Sequence, residues 1–178
     1  GAVAHVSMAK PVCDQVSTVL AEAVSEVASA DDVRLHHGGT YVCIEGPQFS
    51  SQAESHWFRS MGGSVVGMTN MPEAKLAREA GIAYATLAMV TDYDCWHPRE
   101  AHVTAELAMR NLMQNAQRAQ HVAIAAIRLL SERRPRSEAH DAIAAALVTP
   151  WESMSDVTRQ RLAVILGKAA APQTSPAP

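Results

Sequence analysis

The sequence predicts an α/β fold with a mixed, largely parallel central sheet flanked by helices. Three observations carry that expectation. Short apolar runs occupy residues 40–44, 64–68 and 82–90, and segments of helical periodicity lie between and after them. Strands that alternate with helices in this way build parallel sheets. The chain has 178 residues, 48% of them hydrophobic, enough to bury the core of one domain.

In chain order, Val12, Val16, Leu20, Ala23 and Val27 recur at helical spacing and predict a helix over 11–29, with Pro11 in its first turn. Gly38 and Gly39 break the chain before the β-rich run 40–44, which reads as a buried strand. Ser51 and Glu54 match a capping box, so a second helix is expected over 51–61, ending at Gly62 and Gly63. A second strand follows at 64–68. Asn70 and Pro72 announce a third helix that Gly81 closes, and 82–90 is expected as a third strand buried on both faces. Ala105, Met109, Leu112, Ala116, Ala119, Ala123, Ala126 and Leu130 form one apolar stripe of a long helix, expected to lie close against a neighbour. Helical segments at about 137–147 and 153–168 complete the fold. The Pro/Ala/Ser-rich stretch 170–178 is expected to be a disordered tail.

Composition excludes several classes. The net charge is −3, and the one basic cluster, Arg133, Arg134 and Arg136, suits a solvated helix end, so no nucleic-acid partner is expected. No run approaches about 18 consecutive apolar residues, so no membrane span is expected. Residues 1–7 lack the pattern of a signal peptide. Cys13, Cys43 and Cys95 are odd in number and form no CxxC pair, which favours reduced thiols in a cytoplasmic protein. The chain opens at Gly1 in what reads as mid-protein sequence, so a fragment or a processed half is expected.

Ligands of parallel sheets bind beyond the carboxyl ends of strands. Three loops qualify: 45–51, 68–69 and 91–94. Thr91-Asp92-Tyr93-Asp94 sets two carboxylates at i and i+2 after an apolar run, and on extended backbone both would face one way. Two acids beside apolar surface can divide roles, one protonated and one ionised. A purine is a matching target, because its N7 accepts a proton and a 6-amino group donates hydrogen bonds. The same pair could cap the next segment, sit in solvent, or hold a metal. Thr69 offers a hydroxyl to an anion or a sugar oxygen, and Phe49 could stack on a base or pack in the core. Among the eight histidines no metal spacing occurs; His97 and His102 lie near the acidic loop. No GxSxG, GxxxxGK[ST] or GxGxxG is present.

Three ordered blocks then carry a family resemblance. Residues 39–55 (GTYVCIEGPQFSSQAES), 67–81 (GMTNMPEAKLAREAG) and 88–96 (AMVTDYDCW) resemble trimeric purine nucleoside phosphorylases over about residues 1–130. Members acting on 6-oxopurines carry Asn at the position of Asp92 and Glu at that of Ser50; this chain resembles the 6-aminopurine branch that cleaves 5'-methylthioadenosine. The resemblance implies that Asp92 hydrogen-bonds and protonates purine N7 and that Asp94 receives the 6-amino group. It implies that Phe49, Ser50 and Val66 line the substrate, that Met68 meets the ribose and that Thr69 binds phosphate. Thr91, Ala105 and Ala108 would surround the methylthio end, the two alanines being smaller than the family's residues there. Phosphate would be a co-substrate, with no metal or organic cofactor.

The resemblance also implies a homotrimer and makes residues 1–169 the C-terminal part of a single phosphorylase domain. Most phosphate ligands and the first strands lie upstream in the family, so an N-terminal fragment of the same protein is an expected partner. Two other functions fit the motifs: a nucleosidase that uses water in place of phosphate, and a non-catalytic subunit that keeps the purine pocket.

Overall fold

The computed structural model describes residues 1–28, 34–97 and 104–167. The chain divides into two compact units, one formed by 1–16, 72–85 and 135 onward, the other by 17–71 and 86–134.

The second unit holds the sheet. Strand β1 (Thr40–Cys43) pairs in parallel with β2 (Gly63–Gly67), joined through helix α2 (Gln52–Ser60). Val42 stands opposite Val66 and Cys43 opposite Gly67, with an irregularity at Thr40. Gly67 is required here, because a Cβ on it would collide with the Tyr41 hydroxyl. The α/β architecture is therefore the expected one, a parallel sheet with helices. The capping box is also as expected. Ser51 Oγ accepts the Glu54 N–H at 3.3 Å, and Glu54 Oε2 accepts the Ser51 N–H at 2.7 Å. The Ser51 N–H and the Ser51 hydroxyl both donate to Glu54 Oε2, favour the ionised carboxylate and hold it below its ordinary range.

The core of this unit lies between helix α1 (Asp14–Ala28) and helix α4 (Ala105–Arg133). Val19, Ala23 and Val24 are buried against Val122, Ala126 and Leu129. Exposed ion pairs from Arg128 to Glu26 and from Arg133 to Glu22 border that core. The expected α4 stripe is rotated. Ala126 is buried and Leu130 half-buried, but Ala116 and Ala123 are exposed and Met109 is 58% exposed. The helix carries two apolar stripes, and the core takes the one with Val122 and Leu129, which bury more area per residue than alanines.

Two further expectations are corrected. Helix α1 starts at Asp14 rather than at Pro11, and the Cys13 N–H just before it bonds to the Tyr84 carbonyl at 2.8 Å. Residues 82–90 carry no ladder among the described residues, and Ile82 and Val90 are 56% and 63% exposed. A strand buried on both faces needs a hydrogen-bonded neighbour and covering layers, and the described sheet has only β1 and β2.

In the first unit, most of helix α3 (Asn70–Glu79) buries Ala74. The segments expected as helices at 137–147 and 153–168 begin as single 3-10 turns, Glu138–Asp141 and Trp151–Ser153. They continue as α5 (Ala142–Ala146) and α6 (Asp156–Leu166). Ile143, Met154 and Leu166 form their core with Ala2, Val6 and Trp151; Ser137 caps the first 3-10 turn and Ser155 caps α6. The expected tail, 170–178, lies outside the described residues.

Candidate active site

Every site residue predicted from the sequence falls in the second unit. Asp92 Oδ1 accepts the backbone N–H of Asp94 at 2.9 Å, and Asp92 Oδ2 accepts the Thr91 hydroxyl at 2.6 Å. The first of these is a side-chain turn of the kind Asp favours. It draws the chain round rather than leaving it extended, so the expected parallel projection of the two acids does not occur. Asp94 takes φ +57° and opens a 3-10 turn through Trp96. Aspartate and asparagine tolerate that left-handed region better than other side chains.

Helix α2 and its preceding loop clamp this turn. Ser55 Oγ donates to Asp94 Oδ2 at 2.6 Å, and the Cys95 thiol donates to the Ser50 carbonyl at 3.3 Å. The Arg59 guanidinium lies 3.6 Å from the Trp96 ring centre, a cation–π contact. Burial first, and then the Asp94 charge, push the Cys95 thiol above its ordinary range. From the other side, the Asn111 side chain on α4 donates to the Thr91 carbonyl. Ala108 lies one turn before Asn111 and is half-buried, on the helix face turned to this loop. Ala105, at the start of α4, is exposed. Tyr93, Trp96 and His97 form a ring cluster at the loop's edge; His102 lies outside the described residues.

The other predicted residues occupy the two neighbouring loops. Phe49 is 51% exposed and Ser50 half-buried. Val66 sits in β2, and Met68 follows it half-buried. Gly46, at φ +68°, lets the first loop approach the second, since a Cβ there would stand 2.6 Å from the Met68 sulfur. Thr69 is exposed immediately before α3. The turn beyond it is fixed twice. Cys43 Sγ accepts the N–H of the non-helical Met71 at 3.3 Å, and the Thr86 hydroxyl donates to the buried Asn70 Oδ1.

The structure thus joins Ser50 to the acid loop, Gly46 to Met68, and Thr91 to α4. Four contributors had no site role in the sequence reading: Ser55, Asn111, Cys43 and the Cys95 thiol. The only sequence signal for Ser55 is a small polar residue inside a short helix, and its partner lies 39 residues away. Among the described residues, no group of three or more His, Cys, Asp or Glu side chains could hold a metal, and no helix is long and apolar enough to cross a membrane.

Comparison with known proteins adds a family context. The model of the phosphorylase superfamily matches residues 2–128. The S-methyl-5'-thioadenosine phosphorylase of Thermosynechococcus vestitus is 50% identical over 168 residues, covering 94% of this chain and 58% of that protein. A crystal structure of methylthioadenosine phosphorylase from an antarctic soil metagenomic library superposes with a TM-score of 0.85 at 57% identity, covering 93% of this chain and 57% of that one. Methylthioadenosine phosphorylase from Schistosoma mansoni in complex with adenine gives 0.71 at 28% identity, over 83% of this chain and 56% of that one. The chain therefore spans little more than half the length of the relatives it matches.

Proposed function

This chain belongs to the phosphorylase superfamily, and we propose that it carries the purine-binding side of a site for phosphorolysis of 5'-methylthioadenosine to adenine and 5-methylthioribose 1-phosphate. The single observation that carries this is the pair Asp92–Asp94, held by Thr91, Ser55 and the Asp94 amide at the end of an apolar run. The naming of its relatives as methylthioadenosine phosphorylases supports the choice of substrate.

In the proposed reaction the bond between the sugar C1′ and purine N9 breaks, its electrons passing to the base. Asp92 delivers a proton to N7 and neutralises the leaving purine, a role worth roughly 10²–10⁴ in rate. The Thr91 hydroxyl suits it, since a hydroxyl that donates to a carboxylate can also accept from a carboxyl O–H. Asp94 accepts the 6-amino group. A phosphate oxygen then bonds to C1′ as the sugar's cationic character is quenched. Phe49 and Ser50 would line the base, Met68 the ribose, Thr69 the phosphate, and Thr91, Ala105 and Ala108 the methylthio end, with Val66 also against the substrate. No metal or organic cofactor enters this scheme.

Three assembly statements belong to the same proposal. Residues 1–169 form the C-terminal part of one phosphorylase domain, completed by an N-terminal segment that brings the remaining phosphate ligands; the 58% coverage of the cyanobacterial relative supports this. The complete protein is a homotrimer. It works in the cytoplasm, a setting that suits the free thiols of Cys13, Cys43 and Cys95.

Product analysis tests the reaction: methylthioadenosine and adenosine are incubated with the chain, with and without the upstream segment and with and without phosphate. The proposal expects phosphate-dependent adenine release in the combined sample. Adenine and free methylthioribose appearing without phosphate would establish a nucleosidase, and adenine binding with no turnover in any sample would establish a binding subunit.

A further inference from the structure

We infer that Ser55 is the positioning residue that orients Asp94 and thereby sets the preference for a 6-amino over a 6-oxo purine. The inference rests on the adenine-reading role proposed for Asp94. The helical serines divide by what they bond. Ser25 donates to the Ala21 carbonyl, Ser60 to the Trp57 carbonyl and Ser131 to the Arg128 carbonyl, each within its own helix. That back-bonding is the ordinary use of a serine inside a helix. Ser17 and Ser55 instead reach outside their own helices, Ser17 to the His37 ring and Ser55, only 2% exposed, to a carboxylate.

Its own position is firmly set. The Ser55 N–H bonds to the Ser51 carbonyl at 3.0 Å, one turn from the capping box, so the hydroxyl projects from the best-anchored end of α2. A carboxylate's last torsion is otherwise broad and roughly two-fold. Oδ2 is bonded to Ser55, and the Cys95 thiol also neighbours this carboxylate; in the proposed pose Oδ1 receives the 6-amino group. A 6-amino group donates to such an acceptor, whereas a 6-oxo group would face it oxygen to oxygen. The Asp94 amide is bonded to Asp92 Oδ1, so the two acids belong to one turn.

The test is calorimetric titration of adenine and of hypoxanthine into the full chain and three variants: Ser55→Ala, Ser55→Thr, and Ser55→Ala combined with Asp94→Asn. Ser55→Ala should weaken adenine binding by about tenfold, the size expected for a hydrogen bond to a charged group, while hypoxanthine changes less than about twofold. Ser55→Thr restores the hydroxyl and should restore adenine binding. On the Asp94→Asn background, Ser55→Ala should add less than about a twofold loss, because its effect passes through Asp94. Circular dichroism checks that each variant is folded; should Ser55→Thr overpack, the double-variant cycle alone decides. An unchanged adenine-to-hypoxanthine ratio in Ser55→Ala, or an equal loss on both backgrounds, overturns the inference and leaves the adenine site standing. A parent chain with no preference for adenine overturns both.

Discussion

The proposed base side and the proposed phosphate side of the candidate site are built differently. Around Asp92 and Asp94, donors from Thr91, Ser55 and the Asp94 amide converge on two carboxylates, with α2 and α4 fastened to the same loop. Around Thr69, the structure fixes the turn itself, through Cys43, Asn70 and Thr86, and leaves the hydroxyl exposed. One side converges on side-chain carboxylates, the other on a backbone turn, a difference the proposed division into a purine-reading half and a borrowed anion-binding half accounts for.

Substitutions can break that contrast. The largest expected effect is at Asp92: Asp92→Asn should cost roughly 10²–10⁴ in phosphorolysis, the value of a general acid, measured as adenine release with the upstream segment and phosphate present. Near-normal turnover would remove Asp92 from the chemistry. Next is Gly67→Ala, whose new Cβ would collide with the Tyr41 hydroxyl. It should destabilise the chain by about 1–3 kcal/mol, as overpacking does, read from the midpoint of urea unfolding.

Removing the Ser51 cap is expected to cost about 1 kcal/mol. The capping bonds also give stability a pH dependence. Glu54 is held below its ordinary value of 4.5 in the folded chain, so its contribution is complete above that value and disappears as pH falls through the folded one. Ser51→Ala should flatten the acid limb of the unfolding profile, and an unaltered limb would contradict the cap. The smallest effect is at Thr69. Thr69→Ala should raise the phosphate KM about fivefold, one hydrogen bond's worth, with adenine affinity unchanged; a parallel loss of adenine binding would erase the distinction between the two sides.

Local features were legible in the sequence and distant ones were not. The capping box at Ser51 and Glu54 is written within four residues, and the acid pair announces itself by following an apolar run. The β1–β2 pairing follows from two β-rich runs separated by a helix. By contrast, α4 has two apolar stripes, and periodicity alone cannot choose between Ala116–Ala123 and Val122–Leu129; the buried area against α1 does. Residues 82–90 have the composition of a strand, yet composition supplies no hydrogen-bonding neighbour. The turn at Asp94 comes from one side-chain bond, and the Ser55 contact spans 39 residues. No spacing rule reaches that far.

The central claim is that Asp94, opposite Asp92, reads a 6-amino purine. Asp94→Asn tests it most directly, because asparagine tolerates the φ of +57° and keeps the turn while removing the charge. Calorimetric titration of adenine into the parent chain and this variant should show binding weakened by about tenfold or more, with the melting temperature nearly unchanged. Equal adenine affinity in the two proteins would contradict the account.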